Sequence, residues 1–334
     1  MRAYLLASIM VVVACHKATT GGGGDDDQAG PDGGGSNSLG TPAFMVQSSD
    51  LQIGSGEEIT ECYYFHTPNT TALPITAWES HMTPGSHHMI MFWGSESQPA
   101  DGTVNQDCGV GEGSIASGIP VWVYASQMPD ETLQIPTDDG TGTGTPLAQP
   151  VPPNQPAVFQ MHYLNESDDV LTVHVQIEAY ALPPTTKYTE TDAYVTYNAN
   201  ITIPPEAVNV VATDTCTTPT NAKFWTMSTH SHKQSVETDV KDDAGNMIFQ
   251  STDWQHPGAT DWNPPSFYTF PNNSLTVDCT YDNNDPSDPN STMTIHDGPS
   301  AETNEMCMAT GYFFPATGAQ FCYCPAGGCY EGSL

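Results

Sequence analysis

From about residue 43 onward, the chain alternates apolar and polar positions over short stretches. The clearest stretch is Val170 to Tyr180, where every second residue from Leu171 is apolar and the residues between are Thr, His, Gln and Glu. Because successive side chains of a strand point to opposite faces, this period of two predicts a strand with one buried face. Ala193 to Ile203 also has the composition of a strand, and no stretch has the period of a long helix.

Proline, glycine, asparagine and aspartate separate these stretches. Asp138 to Pro156 is rich in Gly, Thr and Pro, which predicts a long loop. Leu182 to Thr186 contains two consecutive prolines, and we take this stiff break as a domain boundary. The pattern therefore predicts an all-β chain of two antiparallel β-sandwich domains in tandem, residues 43–184 and 185–334.

The N-terminus has the form of an export signal. Arg2 precedes an apolar run, Ala3 to Ala14, that is too short to cross a bilayer. The run ends Val-Val-Ala-Cys15, which resembles the bacterial lipobox, so we expect residues 1–14 to be removed and Cys15 to be lipidated. The alternative is an ordinary signal peptide followed by a chance cysteine. Residues 15–42 then form a Gly/Asp-rich tether, and the mature protein is expected as a lipid-anchored monomer in the bacterial cell envelope.

Charge excludes one class of partner. The chain has 6 Lys and Arg against 39 Asp and Glu, a formal net charge of −33. It lacks the basic surface that would neutralise phosphates, so we expect no nucleic-acid binding and no membrane contact except through the anchor. With 37% hydrophobic residues the chain has enough apolar material for packed cores, so it is not a disordered acidic protein.

The cysteines fit an exported protein. If Cys15 carries lipid, the nine cysteines leave an even number, which favours disulfide bonds in an oxidising compartment. Sequence alone does not fix their connectivity, and the close spacing near the C-terminus leaves a zinc site as the alternative there. The first half contains Cys62 and Cys108, and the second contains Cys216, Cys279, Cys307, Cys322, Cys324 and Cys329.

Five of the eleven histidines occur in three tight settings. His230 and His232 are two residues apart on a predicted strand, so both rings point to one face and can bind one ion. His87 and His88 are adjacent, and they share a face only if the backbone is irregular, which the preceding Pro84-Gly85 favours. His162 lies on a predicted strand, on the face opposite Phe159 and Met161.

The order of these settings resembles that of the copper type II, ascorbate-dependent monooxygenases, the peptidylglycine alpha-hydroxylating and dopamine beta-hydroxylating enzymes. The resemblance extends from about residue 43 to the C-terminus. It is carried by four local motifs in chain order: His87-His88-Met89, Gln160-Met161-His162-Tyr163, His230-Ser231-His232 and Glu305-Met306-Cys307.

The resemblance implies two jelly-roll-like domains that each hold one copper. His87, His88 and His162 would bind the electron-transfer copper, and His230, His232 and Met306 the oxygen-activating copper. Ascorbate or an equivalent donor would supply electrons, dioxygen would be the co-substrate, and Gln160 would lie between the sites. Imidazole suits both oxidation states of copper, and the thioether of Met306 favours Cu(I).

The resemblance also implies disulfide pairings. Cys62 would pair with Cys108, and Cys279 with Cys307 beside the Met306 ligand. Cys216 would pair with Cys322 or Cys324, which leaves Cys329 for the other.

The substrate pocket departs from the peptide-amidating members of the family. Their carboxylate-binding Arg is replaced here by Ser228, and their pocket Asn and Tyr by Met308 and Thr310. Without a bidentate Arg, a substrate carboxylate loses a strong charge-assisted contact, so glycine-extended peptides are not expected. We expect instead a small aromatic, amine or lipid-like molecule. No site role is expected for His66, His81, His174, His256 and His296, and Trp254, Trp262 and Tyr268 are expected to be packing residues.

Two functions follow from the sequence. The first is a copper-dependent monooxygenase that hydroxylates a C–H bond of a small organic substrate. The alternative is an exported copper-binding or redox-sensing protein that keeps the copper sites without hydroxylase turnover.

Overall fold

A computed structural model describes residues 39–106 and 121–333 of the chain. Within these ranges about half of the residues are in strands, and the helical segments are two short 3₁₀ turns, Pro271–Asn273 and Pro289–Thr292. This part of the chain therefore has the all-β sandwich fold that the alternating pattern predicts. It contains no helix long and apolar enough to span a bilayer. The signal segment, Cys15, most of the tether and Cys108 lie outside the described residues.

The described residues form twenty-five strands. They are β1 (Phe44–Gln47), β2 (Leu51–Ile53), β3 (Glu58–His66), β4 (Leu73–Met82), β5 (Ser86–Trp93), β6 (Val104–Asn105), β7 (Val121–Ser126), β8 (Asp130–Gln134), β9 (Leu147–Val151), β10 (Pro156–Leu164), β11 (Leu171–Val173), β12 (Val175–Ala181), β13 (Thr189–Glu190), β14 (Asp192–Asn198), β15 (Thr202–Ile203), β16 (Val210–Thr217), β17 (Lys223–Ser231), β18 (Ser235–Asp242), β19 (Met247–Ser251), β20 (Thr260–Asp261), β21 (Ser274–Tyr281), β22 (Ile295–His296), β23 (Cys307–Phe314), β24 (Gln320–Cys324) and β25 (Tyr330–Ser333).

Two sheets build the first half of the fold. Sheet I has the order β1-β12-β4-β9-β13, with β8 also paired to β4, and sheet II has the order β6-β3-β10-β5-β7. Alternate residues of their strands, among them Trp78, Met89, Phe159 and Ile177, meet in one buried core. Sandwich packing follows because each strand has one apolar face to remove from water.

The second half repeats this plan. Sheet III has the order β20-β17-β23-β14-β24-β25, and sheet IV has the order β16-β21-β18-β19. Their core contains Tyr194, Phe224, Val277 and Tyr281, all fully or almost fully buried. The pairs β2–β11 and β15–β22 form separate two-stranded ladders.

A third apolar cluster joins the two halves. It includes Ile90, Phe92 and Trp122 from sheet II and Met308 and Tyr312 from sheet III. These residues alternate with the residues that face the two inner cores, so sheets II and III each have apolar side chains on both faces. The faces that meet here also carry the histidines singled out by sequence.

Two local expectations are corrected. The loop expected over Asp138 to Pro156 contains strand β9, because Leu147, Ala148 and Val151 are fully buried and the strand pairs with β4. The strand expected over Val170 to Tyr180 is divided between β11 and β12, which join different ladders. Its alternation of buried and exposed positions nevertheless continues through the break.

Three disulfide bonds lie in the second half of the described chain. Cys279–Cys307 joins sheets IV and III, Cys216–Cys322 does so at another place, and Cys324–Cys329 closes the β24–β25 hairpin. Of the two partners that the sequence left open for Cys216, the structure has Cys322. Cys62 is buried on β3, and its expected partner Cys108 is outside the described residues.

Candidate metal centre

His87 and His88 lie at a β-bulge in β5. His88 pairs with His162 of β10, but the next pair joins Ser86 to Tyr163, so His87 is an extra residue in its strand. A bulge turns two consecutive side chains toward the same side. The ring centroids of His87 and His88 are 4.9 Å apart. The bulge is the irregular backbone that was expected after Pro84-Gly85.

His162 joins this pair from the neighbouring strand. Its ring centroid is 4.9 Å from that of His88 and 5.2 Å from that of His87. Its Nε2 lies 2.8 Å from Oε1 of Glu58, so the ring proton on Nε2 donates to the carboxylate and Nδ1 remains for a metal. One nitrogen from each of the three rings lies within 4.8 Å of the others.

His230 and His232 occupy the end of β17, with ring centroids 5.2 Å apart. His230 Nδ1 donates to Oε1 of Gln127 at 2.7 Å, and His232 Nδ1 donates to the backbone oxygen of Asn304 at 3.2 Å. Both bonds leave Nε2 of the ring for a metal. Gln127 comes from the first half of the chain, so a first-half residue orients a second-half histidine.

Met306 directly precedes β23, whose register places it beside His232. The ladder pairs His230 with Met308 and Ser231 with Cys307, so His232 falls opposite Met306. The Tyr281 hydroxyl donates to the Met306 carbonyl at 2.8 Å, and the Cys279–Cys307 disulfide fixes the next residue. The backbone that carries the thioether is therefore held on two sides.

Glu305 fixes two of the three second-half ligands, His232 and Met306, through their backbone. Its fully buried carboxyl group accepts N–H bonds from His232 at 2.9 Å, from Gln234 at 2.6 Å and from Met306 at 3.3 Å. Burial raises the pKa of Glu305 to about 8, although these N–H donors act in the opposite direction. In the sequence, Glu305 stands out only as part of the Glu305-Met306-Cys307 motif, from which no role for its carboxyl group was expected.

The five histidines form one group. The ring centroids of His88 and His230 are 4.9 Å apart, and those of His162 and His232 are 6.5 Å apart. A buried cavity of about 20 Å³, close to the space one water or ion fills, lies between the two ligand sets. His88, His162, His230 and Met306 line it together with Gln160 and Met308.

Burial keeps four of these imidazoles neutral, those of His87, His88, His230 and His232. It lowers the pKa of His87 to about 2 and that of His230 to about 3, with neighbouring histidines adding to the effect. The pKa values of His88 and His232 are also well below the ordinary value, for the same reasons. Neutral imidazole is the form that binds a metal ion.

The donor set fits copper. Among the described residues no hydrogen-bond partner reaches four buried ring nitrogens, which are His87 Nε2, His88 Nδ1, His230 Nε2 and His232 Nε2. Unpaired buried nitrogens are costly unless a ligand satisfies them. Imidazoles with one thioether suit copper, whereas zinc more often recruits thiolate or carboxylate.

A larger cavity of about 460 Å³ opens beside the histidines, with His88 and His230 in its wall. Ser228 and Thr310, expected as pocket residues, line it and are paired across β17 and β23. The Ser228 hydroxyl donates to the Gly258 carbonyl, and this bond joins the loop 252–259 to strand β17. Met308, the third expected pocket residue, instead lines the small cavity between the ligand sets.

The loop 252–259 corrects two assignments. The half-buried ring of Trp254 lies 5.4 Å from that of His87, so Trp254 belongs to the site rather than to packing elsewhere. His256, for which no site role was expected, lines the larger cavity. Neither residue has a periodic neighbour in the sequence, because an irregular loop brings both to the site.

The other four histidines of the described residues lie near the surface. His66, His81 and His174 each contact one aspartate, at 2.6 to 3.0 Å. His296 contacts the hydroxyl of Thr202 at 3.4 Å.

Comparison with known proteins finds one matching family model. Residues 166–330 match the family model described as copper type II ascorbate-dependent monooxygenase, C-terminal domain. No curated protein sequence matches the chain. Two crystal structures align over 81% of it: PBSX exported protein XepA (86% of that chain, 6% identity, TM-score 0.20) and the infectious bursal disease virus VP2 subviral particle (72%, 8%, 0.18). Similarity this low says nothing about function.

Proposed function

We propose that this protein hydroxylates a C–H bond of a small organic substrate, on the premise that residues 166–330 match the family model of the copper type II ascorbate-dependent monooxygenase C-terminal domain. Dioxygen would be the co-substrate and an ascorbate-type donor would supply the electrons. The observation that carries the proposal is the convergence of one thioether and five imidazoles, four of them buried and that of His87 half-buried. Four of the ring nitrogens lack a hydrogen-bond partner in the described structure.

We place two coppers in this group. His87, His88 and His162 would hold one, and His230, His232 and Met306 the other. Bound copper supplies one-electron chemistry with dioxygen that amino-acid side chains cannot perform. Gln160 lines the cavity between the two sets, which supports a role for it between the sites.

The surrounding residues orient the ligands. Gln127 and the Asn304 carbonyl each hold a proton on Nδ1, which directs Nε2 of His230 and His232 to the metal. Glu58 does the same for His162 from the other ring nitrogen. Met308 and Ile90 give the space between the sets an apolar lining.

The substrate would bind in the 460 Å³ cavity. None of the described residues that line it is Lys or Arg, which argues against a substrate that is held by its carboxylate. Trp122, Leu133 and Tyr312 give the cavity an apolar wall, and Glu131 gives it one carboxyl group. We therefore propose a small, predominantly apolar substrate that is neutral or cationic.

Met306→Ile tests the function. Without the thioether, ascorbate-dependent oxygen uptake coupled to substrate hydroxylation should fall at least about 10²-fold, while the three-histidine set keeps its copper. Metal analysis and oxygen uptake on a panel of aromatic, amine and lipid-like substrates measure both effects. Unchanged hydroxylation would remove Met306 from the mechanism. Two bound coppers with no substrate-dependent turnover in the unaltered protein would instead favour the copper-binding or redox-sensing alternative.

The disulfides of the described chain fit an exported protein in an oxidising compartment. We propose that the protein is anchored to the cell envelope through lipidated Cys15 and acts there as a monomer. Cys15→Ser should release the protein into the soluble fraction of an envelope preparation. If the variant stays in the membrane fraction, the anchor is elsewhere.

A further inference from the structure

Two disulfides touch at the C-terminal hairpin. Cys322 and Cys324 are two residues apart on β24, so their side chains share one face of the strand. Cys216–Cys322 and Cys324–Cys329 consequently lie side by side. The Sγ of Cys324 is 3.5 Å from that of Cys322 and 4.0 Å from that of Cys216.

The four sulfurs form one group, within 4.8 Å of each other. Among the described residues, no other cysteine forms such a group, so the Cys279–Cys307 bond stands apart. This arrangement brings a potential third sulfur next to the Cys216–Cys322 bond. Thiol–disulfide exchange requires such an approach, because a thiolate attacks one sulfur of an existing bond.

Access to this cluster is one-sided. Cys329 is exposed, whereas Cys216, Cys322 and Cys324 are 1 to 2% exposed. An external thiol can therefore reach the Cys324–Cys329 bond at Cys329, while the Cys216–Cys322 bond is shielded. Exchange at the buried bond has to begin from Cys324.

We propose that this cluster is a thiol–disulfide exchange site, in which an external dithiol reduces Cys324–Cys329 and the freed Cys324 then competes with Cys322 for Cys216. The dithiol attacks Cys329 Sγ, the bond to Cys324 breaks, and Cys324 leaves as a thiolate. The second thiol of the reductant resolves the mixed disulfide, so that the dithiol is oxidised by two electrons and Cys329 becomes a thiol.

The second step involves no net oxidation or reduction, because one disulfide replaces another. The Cys324 thiolate attacks Cys216 Sγ, a Cys216–Cys324 bond forms, the Cys216–Cys322 bond breaks, and Cys322 leaves as a thiolate that takes up a proton. The bridge between β16 and β24 then moves by two residues along β24, about 7 Å. A reducing signal at the surface would thus change how sheets III and IV are joined, and this step does not depend on the proposed copper function.

Cys329→Ser in the full chain tests the proposal, because it leaves Cys324 without its partner. After acid quenching and alkylation, peptide mapping by mass spectrometry should find Cys216–Cys322 and Cys216–Cys324 within about tenfold of each other. The matched control is the double variant Cys324→Ser, Cys329→Ser, which should contain only Cys216–Cys322. Cys279–Cys307 should stay intact in both.

A single Cys216–Cys322 pairing in Cys329→Ser, with Cys324 fully alkylated, would overturn the proposal. If that variant does not fold, the unaltered protein is treated with increasing dithiothreitol and mapped in the same way. Cys329 should be alkylated first, and Cys216–Cys324 should appear before Cys216 becomes alkylatable. Simultaneous alkylation of Cys216 and Cys322, with no Cys216–Cys324 peptide, would contradict it.

Discussion

The two ligand sets of the candidate metal centre are placed by different means. Sheet register places the three histidines of the first half, because His88 is paired with His162 and the bulge adds His87. In the second half, β17 ends at Ser231 and β23 begins at Cys307, so His232 and Met306 lie one residue beyond the paired strands and strand pairing alone does not fix them. Hydrogen bonds from elsewhere in the chain hold them instead.

The difference shows which set depends on its surroundings. His230 relies on Gln127 from the first half, and the His232 backbone relies on Glu305. Within residues 39–106 and 121–333, one such support reaches the first set, where Glu58 bonds to His162 and also accepts bonds from Ser300 and Ala301 of the second half. Each half therefore contributes to the ligand geometry of the other, but the geometry of the second set depends more on residues that are distant in the sequence.

The largest expected effect is a common response of both sets to acid. The folded pKa is about 2 for His87 and about 3 for His230, against an ordinary value of 6.5. Below pH 6.5 both histidines are protonated in the unfolded chain but remain neutral in the folded chain. Acid therefore favours unfolding, and the free energy of unfolding decreases as the pH falls below 6.5. Each ring costs about 1.4 kcal/mol per pH unit below 6.5.

His87→Gln and His230→Gln, one from each set, isolate this effect in the copper-free protein. Between pH 6.5 and 4.5, the stability of the unaltered protein relative to each variant should fall by about 2.3 kcal/mol. Urea unfolding at the two pH values measures the change. Equal changes for the two variants mean that burial acts alike on both sets. If the stability difference between the unaltered protein and one variant is the same at both pH values, the histidine replaced in that variant is protonated in the folded state.

Much of this centre follows from local sequence. The Pro-Gly before His87-His88 predicts the irregular backbone that becomes a bulge, and the spacing of His230 and His232 predicts a common face. Such inferences succeed because they depend on strand geometry within a few residues. The expected loop at Asp138 to Pro156 failed because burial against β4, which the local composition does not encode, makes a strand of Leu147–Val151.

The supporting residues could not be predicted in that way. Gln127 and His230 are separated by 103 positions, and Glu58 and His162 by 104. A Gln or Glu so far from its histidine gives no periodic or compositional signal, because the sequence does not distinguish it from other polar residues near turns. Trp254 likewise reaches His87 only through the path of an irregular loop. Tertiary contact creates these roles, so they appear only in the folded chain.

Glu305→Gln tests the dependence of the second set on backbone anchoring. Both carboxyl oxygens accept N–H bonds, and an amide nitrogen cannot accept one, so the variant leaves a buried N–H unsatisfied. We expect a loss of about 1–3 kcal/mol in unfolding free energy. Copper titration should show weaker binding by the second set and unchanged binding by the first. Weakening of both sets to the same degree would mean that Glu305 acts on the whole fold.

Gln127→Leu removes the cross-half bond to His230 at similar volume. The His230 imidazole then loses the acceptor that holds its proton on Nδ1, and we expect the copper affinity of the second set to fall by about 10–100-fold. Competition with a Cu(I) chelator measures the affinity. Gln127→Glu is the matched control, because its carboxylate retains an acceptor and should preserve most of the binding. Equal losses in both variants would assign the effect to packing.

The smallest effect is expected from Glu58→Gln, which probes the single distant support of the first set. Hydrogen bonds from His162 and Ser300 outweigh burial and hold the pKa of Glu58 below its ordinary value, so the group is a carboxylate at neutral pH. Glutamine keeps one carbonyl acceptor for His162 but loses the charge-assisted bond. We expect copper affinity of the first set to fall by about tenfold, measured with the same chelator. Because β-sheet register still holds His87 and His88, a larger loss than that of Gln127→Leu would reverse the comparison between the two sets.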